Sequence, residues 1–197
     1  MHKMLALIAL LTMAQAAPNP HLPAATYDSV APVLSKGLRN AVLIVSKTNG
    51  WRHIEHIPHS NIVLADIAQT LGRASYATEK AAVFNDEQLQ RFSVVVLNSA
   101  SGDFLTPDQR AAFVRFVGRG GGVVALHAAG DNSHTDAWYT DTIICTKFTG
   151  HPGGSYQLQP ARIIVDRPDH PVMAGVTLPW SPVDEWYAFT PIPQPAA

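Results

Sequence analysis

Three runs of apolar, mostly β-branched residues punctuate the chain: Ala41-Val42-Leu43-Ile44-Val45, Ser93-Val94-Val95-Val96-Leu97 and Gly122-Val123-Val124-Ala125-Leu126. Continuous runs of strand length, as opposed to alternating ones, predict strands covered on both faces, and these three are expected as central strands. Helical patterns lie between them. Leu64, Ile67, Ala68 and Leu71 recur at the three-and-four spacing of one helix face, as do Ala112, Phe113, Phe116 and Val117. Thr106-Pro107-Asp108-Gln109 reads as a capping box with proline at the first helical position, and the glycines of 118–122 close that helix. Residues 86–92 are predicted as one more helix and 73–78 as a short edge strand. Beyond Asp131 the pattern weakens to a short helix over 136–143 and a strand over 162–166. Proline at every second position keeps 190–197 out of any regular helix or central strand.

Strands separated by helices imply right-handed crossovers, hence a three-layer α/β fold: a parallel sheet of flavodoxin-like order with helices on both faces. Such sheets bind ligands beyond the carboxyl ends of their strands. Polar residues stand at those ends: Ser46-Lys47-Thr48-Asn49, Asn98-Ser99 and His127. Three chain segments are therefore expected to meet in one crevice. His127 is the most informative of them, because a buried strand stops there and the small residues Ala128-Ala129-Gly130 begin, followed by Asp131. A strand-to-tight-turn junction projects its side chain into the crevice. The competing reading is a core histidine satisfied by a backbone carbonyl. Gly118-Arg119-Gly120-Gly121-Gly122 is a connector, since a phosphate-binding glycine loop follows a strand and opens a helix, and this segment does the reverse.

Residues 1–16 read as an export signal, with His2 and Lys3 first, an apolar stretch from Met4 to Met13, and Ala14-Gln15-Ala16 as a small-x-small cleavage site. The apolar stretch is well short of the ~20 residues that span a bilayer, so stable membrane insertion is not expected after cleavage, and the protein should be periplasmic or secreted. Residues 17–40, rich in Pro and Ala, read as a linker to a domain over 41–197. Lys and Arg number 14 against 15 acidic residues with no basic run, which argues against a nucleic-acid partner. One cysteine, Cys145, permits no internal disulfide, and a small buried role suits it better than nucleophilic chemistry.

Histidine is plentiful at 9 residues. Trp51-Arg52-His53-Ile54-Glu55-His56-Ile57-Pro58-His59 carries three of them, and Pro58 argues against one regular helix through all three. Their spacing is not the metalloprotease pattern, which needs two histidines four apart with Glu after the first. His151 lies in another loop. If His53, His127 and His151 converge, three imidazoles with an open fourth position suit a catalytic zinc, provided each nitrogen comes about 2.0–2.1 Å from it. Asp184-Glu185-Trp186-Tyr187 joins carboxylates to aromatics, a composition that suits a sugar as well as an amphipathic strand.

Arg52-His53, Leu126-His127-Ala128-Ala129-Gly130-Asp131, Trp138-Tyr139, Phe148-Thr149-Gly150-His151-Pro152, Asp169-His170-Pro171 and Asp184-Glu185-Trp186-Tyr187, in that order, resemble the trehalose-utilisation, or ThuA-like, family from about residue 41 to residue 189. The resemblance implies a fold similar to class I glutamine amidotransferases, with His127 at the position of the catalytic cysteine. Amidotransferase chemistry is not expected, because an imidazole cannot replace a thiolate acylated by glutamine. The resemblance implies catabolism of trehalose or related disaccharides through 3-keto-sugar intermediates, by a lyase, hydrolase or isomerase. His127 would carry the proton and Asp131 would match its charge, with His53, Asn98, Trp138, His151, Asp184, Glu185 and Tyr187 contacting a small-molecule sugar. The alternative is a non-catalytic carbohydrate-binding or scaffold protein. Two departures stand out: Cys145 replaces a small residue, most often Gly, and the chain ends at Ala197 where similar members continue through another strand and a histidine-bearing loop. A C-terminally truncated chain or a short form is the expectation.

Overall fold

The computed structural model describes residues 18–152 and 157–191. The predicted export signal and the last residues of the Pro-rich tail lie outside them. β1 (Ala41–Val45), β2 (Ser75–Thr78), β3 (Phe92–Asn98) and β4 (Gly122–Leu126) form a parallel sheet in the order β2-β1-β3-β4. That is the expected doubly wound order, with the switch between β1 and β3. The alternation of side chains in β1 and β3 sends Leu43, Val45, Val95 and Leu97 to one face, where they are fully buried with Phe84, Phe113 and Phe116. α2 (Asp86–Leu89) and α3 (Pro107–Gly118) supply that layer. The other face takes α1 (His56–Thr70), whose Ile57 and Ala68 are buried. α3 begins with the predicted capping box, Thr106 accepting from the Gln109 backbone N–H while the Gln109 side chain accepts from Thr106 N–H, and Pro107 follows.

Several expectations need correction. β4 is the edge of this sheet and not a central strand: Val124 is 44% exposed and Ala125 is exposed as well. The helix expected over 86–92 ends at Leu89, because β3 starts at Phe92. Residues 162–166 form no strand; β6 (Leu158–Pro160) comes earlier and pairs with β7 (Val183–Glu185), while β5 (Lys147–Gly150) pairs with β8 (Ala188–Thr190), both antiparallel. The helix near 136–143 contains a wide turn over Tyr139–Ile144. Residues 18–40 are no free linker. Leu34 and Leu38 are buried in the core, Asp28 pairs with Lys47 at 3.3 Å and accepts from Ala81 N–H at 2.8 Å, and Gln109 donates to the Asp28 carbonyl at 2.7 Å.

Cys145 is exposed, not buried, and it ends the Tyr139–Ile144 turn in the left-handed conformation (φ 59°, ψ 18°). An L residue there is strained by about 1–2 kcal/mol, and a glycine returns part of that through its own backbone entropy of roughly 0.5–1 kcal/mol. Cys145→Gly should therefore raise stability by about 0.5–1 kcal/mol, a gain of a few degrees in Tm, while Cys145→Ala, which keeps the Cβ, should leave Tm unchanged. Equal Tm values for all three proteins in thermal unfolding would refute this account.

Candidate functional site

His127 follows the last residue of β4 with φ 54°, a left-handed backbone that non-glycine residues avoid. A short helical turn, His127–Gly130, takes the chain away at once, with Ala128 and Ala129 fully buried beneath it. The strained junction leaves the imidazole at the carboxyl end of the sheet, where its side chain is 22% exposed.

A buried polar cluster fixes the neighbouring loop. Asn98 ends β3 with no exposed surface and donates to Ser60 Oγ and Asn61 Oδ1, both at 2.8 Å, while Ser46 at the end of β1 donates to Asn61 at 3.0 Å. These bonds pin the first turns of α1 to the sheet. Asn98 thus reaches α1, not the crevice, and its expected sugar contact is replaced by a positioning role. No helix runs through all three histidines, as expected, but Pro58 sits inside α1, tolerated in the first turn because its missing N–H would have had no intrahelical acceptor. His56 and His59 consequently lie on α1, and His53 lies just before it, its carbonyl accepting from Ile57 N–H at 3.1 Å.

The two small antiparallel sheets bring the third group. Glu185, the last residue of β7, places Oε2 3.0 Å from His127 Nε2, and its Oε1 accepts from Gln157 at 3.1 Å and lies 3.7 Å from His151 Nε2. His151 is oriented from behind by the Trp186 carbonyl, 2.9 Å from Nδ1. The Tyr187 ring lies 4.9 Å from that of His127 and 4.7 Å from that of His151, and His53 lies 4.3 Å from His127. Asp131 completes the wall of a cavity of about 300 Å³, its Oδ1 accepting from the Ser133 backbone N–H at 2.8 Å and from the Ser133 hydroxyl.

The structure therefore gathers His53, His127, Asp131, His151, Glu185 and Tyr187. His127 itself and Asp184 line an adjoining cavity of about 560 Å³ with His56 and His59, so that His127 and Glu185 meet where the two cavities come together. Trp138 sits elsewhere, its ring 5.5 Å from that of Phe113 and beneath the Arg110 guanidinium, so no sugar contact in this crevice follows for it. The expected ligand trio changes too: the mutually close ligand atoms, within 4.8 Å, are those of His53, His127 and Glu185, with His151 reached through Glu185. His56, 5.8 Å from His127 ring to ring, and Trp51 on the cavity wall stood in the 51–59 cluster without a role of their own, and Gln157 on the cavity wall was not foreseen. His56 carried a signal in its spacing from His53; Gln157 carried none.

Burial and the neighbouring His127 push the His53 imidazole down to about 4, and burial likewise lowers His127 against the opposing pull of Glu185. Both rings are neutral at pH 7, able to accept a proton or donate a lone pair. Burial and then the Glu185 carboxylate hold the Tyr187 phenol above its ordinary range, so it remains a proton donor. The site thus offers neutral bases, a protonated phenol and two carboxylates around a polar cavity.

The family model described as ThuA, trehalose utilisation, matches residues 41–197. Among solved structures, a ThuA-like protein from Bacteroides uniformis superposes with a TM-score of 0.63 at 22% identity, which shows a shared fold. The alignment covers 82% of this chain and 66% of that one, so the chain spans just under two thirds of that relative's length. No curated protein matches the chain.

Proposed function

Because the trehalose-utilisation model covers residues 41–197, the chain belongs to the ThuA family, and from that premise we propose that its crevice takes trehalose or a related disaccharide in a 3-keto form and moves a proton beside the ring carbonyl. The observation that carries this reading is the His127–Glu185 pair, 3.0 Å apart at the carboxyl end of the parallel sheet. Abstracting a proton next to a ketone needs a base that is uncharged near neutral pH, and burial keeps His127 so. The Glu185 carboxylate, 3.0 Å from Nε2, favours the tautomer with its hydrogen on that nitrogen and leaves Nδ1 to take the proton. The carbonyl oxygen then gains negative charge, which the protonated Tyr187 is suited to meet. The same Glu185 carboxylate matches the imidazolium that results. If the glycosidic oxygen is the leaving group, its C–O bond breaks as the enolate collapses, and that oxygen takes back a proton.

The leader pattern supports an exported protein. Among the described residues no helix is long and apolar enough to cross a membrane. A turnover assay on trehalose and its 3-keto form, run beside direct binding, tests the proposal. Turnover of the keto form is expected. Binding without turnover would favour the carbohydrate-binding reading instead, and neither would overturn both.

A second reading rests on His53, His127 and Glu185, whose ligand atoms lie within 4.8 Å of one another. Two neutral imidazoles and a carboxylate, with a position left open, suit a zinc ion that would polarise the same carbonyl. Elemental analysis of protein purified without chelator or affinity tag separates the two readings. Less than about a tenth of an equivalent of any transition metal leaves His127 as the base; close to one equivalent, lost to a chelator together with activity, makes it a ligand.

A further inference from the structure

Trp51 is held in place by backbone and yet keeps its indole in the open. Ser101 Oγ donates to the Trp51 carbonyl at 2.7 Å, and the Ser101 carbonyl accepts from Asn49 and Gly50 N–H at 2.7 and 3.2 Å. From the other side comes the N-terminal segment. The His21 carbonyl accepts from Arg52 N–H at 2.8 Å, and His21 Nδ1 lies 2.8 Å from the Arg52 carbonyl. This double tie lays the His21 ring on the indole, centroids 4.8 Å apart and planes within 11°. One face of Trp51 is covered; the residue as a whole is still 42% exposed, and it lines the 300 Å³ cavity with His53, Asp131, Gln157, Glu185 and Tyr187.

What sets Trp51 apart from other exposed apolar residues is that its open face borders the cavity while the other face is covered by His21. The cavity beside it combines carboxylates and an amide, which pair with hydroxyls, with an aromatic surface, which covers C–H groups. We propose that Trp51, backed by His21, is the platform for a sugar ring in the crevice, and that the segment around His21 is thereby part of the binding site. The ring would lay its C–H face on the indole while its hydroxyls turn to Asp131, Gln157 and Glu185. The inference rests on the reading of the crevice as a sugar site, and adds to it a position for the ring and a determinant outside the residues that the family model matches.

The test is calorimetric titration of trehalose and its 3-keto form into the wild-type protein and into Trp51→Ala, Trp51→Phe and His21→Ala, with indole emission read in parallel. We expect wild type to bind and Trp51→Ala to bind roughly tenfold more weakly, while Trp51→Phe, which keeps an aromatic face, loses about threefold. His21→Ala, which removes the backing alone, should fall between wild type and Trp51→Ala. Sugar should shift the wild-type emission, and most of the shift should be lost in Trp51→Phe, leaving only what Trp186, between Glu185 and Tyr187, contributes. Wild-type binding with unchanged affinity in all three variants, or an emission shift in Trp51→Phe as large as in wild type, overturns the platform and leaves the sugar reading standing. Absence of binding by wild type overturns the sugar reading itself. Should Trp51→Ala lose its cooperative unfolding transition, Trp51→Phe and His21→Ala decide the matter through the same two readouts.

Discussion

Replacing His127 by Ala should lower turnover of a keto-disaccharide by about 10²–10⁴-fold, the usual contribution of a positioned base, while the cooperative unfolding transition persists. The fold is expected to survive because the imidazole stands at a sheet end and not within the core. Ala keeps the strained φ of 54°, and Gly does not. His127→Gly should therefore be more stable than His127→Ala by roughly 0.5–1 kcal/mol, with both equally inactive. Wild-type turnover by either variant would remove His127 from the reaction.

The pH dependence has a defined sign. His53 and His127 are lowered below their unfolded value of 6.5 by burial, so the unfolded chain binds protons that the folded site refuses. Their contribution is fully present above pH 6.5 and is lost as pH falls, for His53 down to about 4. The acid limb of kcat/KM should likewise lie below 6.5. Glu185 attracts a proton onto His127, so Glu185→Gln should move that limb further down. A limb that moves up would contradict the pairing.

The parallel sheet and its order could be read from the sequence because three apolar runs and a capped helix are local signals, each set by a few adjacent residues. His127 could be found for the same reason: the strand-to-turn junction is written in Leu126 through Gly130. Glu185 as its direct partner could not, since a carboxylate 58 positions away arrives only through the β6–β7 and β5–β8 pairings, whose short strands leave little periodicity. Asp131, four residues on in sequence, was the natural candidate for charge-matching, but its Oδ1 is engaged by Ser133. Pro and Ala in 17–40 looked like a linker because the contacts that anchor the segment are made by scattered single residues, His21, Asp28, Leu34 and Leu38, with no repeating pattern. Asn98 at a strand end suggested a ligand contact; whether a polar side chain there points to solvent or pins a helix depends on what packs above it.

Gly102→Ala should cost about 2–4 kcal/mol and lower Tm by roughly 5–15 °C, because two penalties coincide at that position. Its φ is 69°, and an added Cβ would lie 2.6 Å from the Asn49 carbonyl carbon and 2.7 Å from Gly50 N, backbone atoms that no rotamer change can move. The segment matters to the site on both sides. Gly102 N–H donates to Ser133 Oγ at 2.7 Å, Ser133 in turn holds Asp131, and Asn49-Gly50 leads into Trp51 and His53. Displacing that contact separates the loop after β1 from the loop after β4, so the surviving folded protein should bind sugar more weakly as well as melt earlier. Gly37→Ala is the control: nothing lies within 4 Å of its added Cβ, and stability should stay within about 0.5 kcal/mol of wild type. Coincident melting curves for Gly102→Ala and wild type would show that the two loops tolerate separation, and the crevice would then owe its shape to the Glu185 side alone.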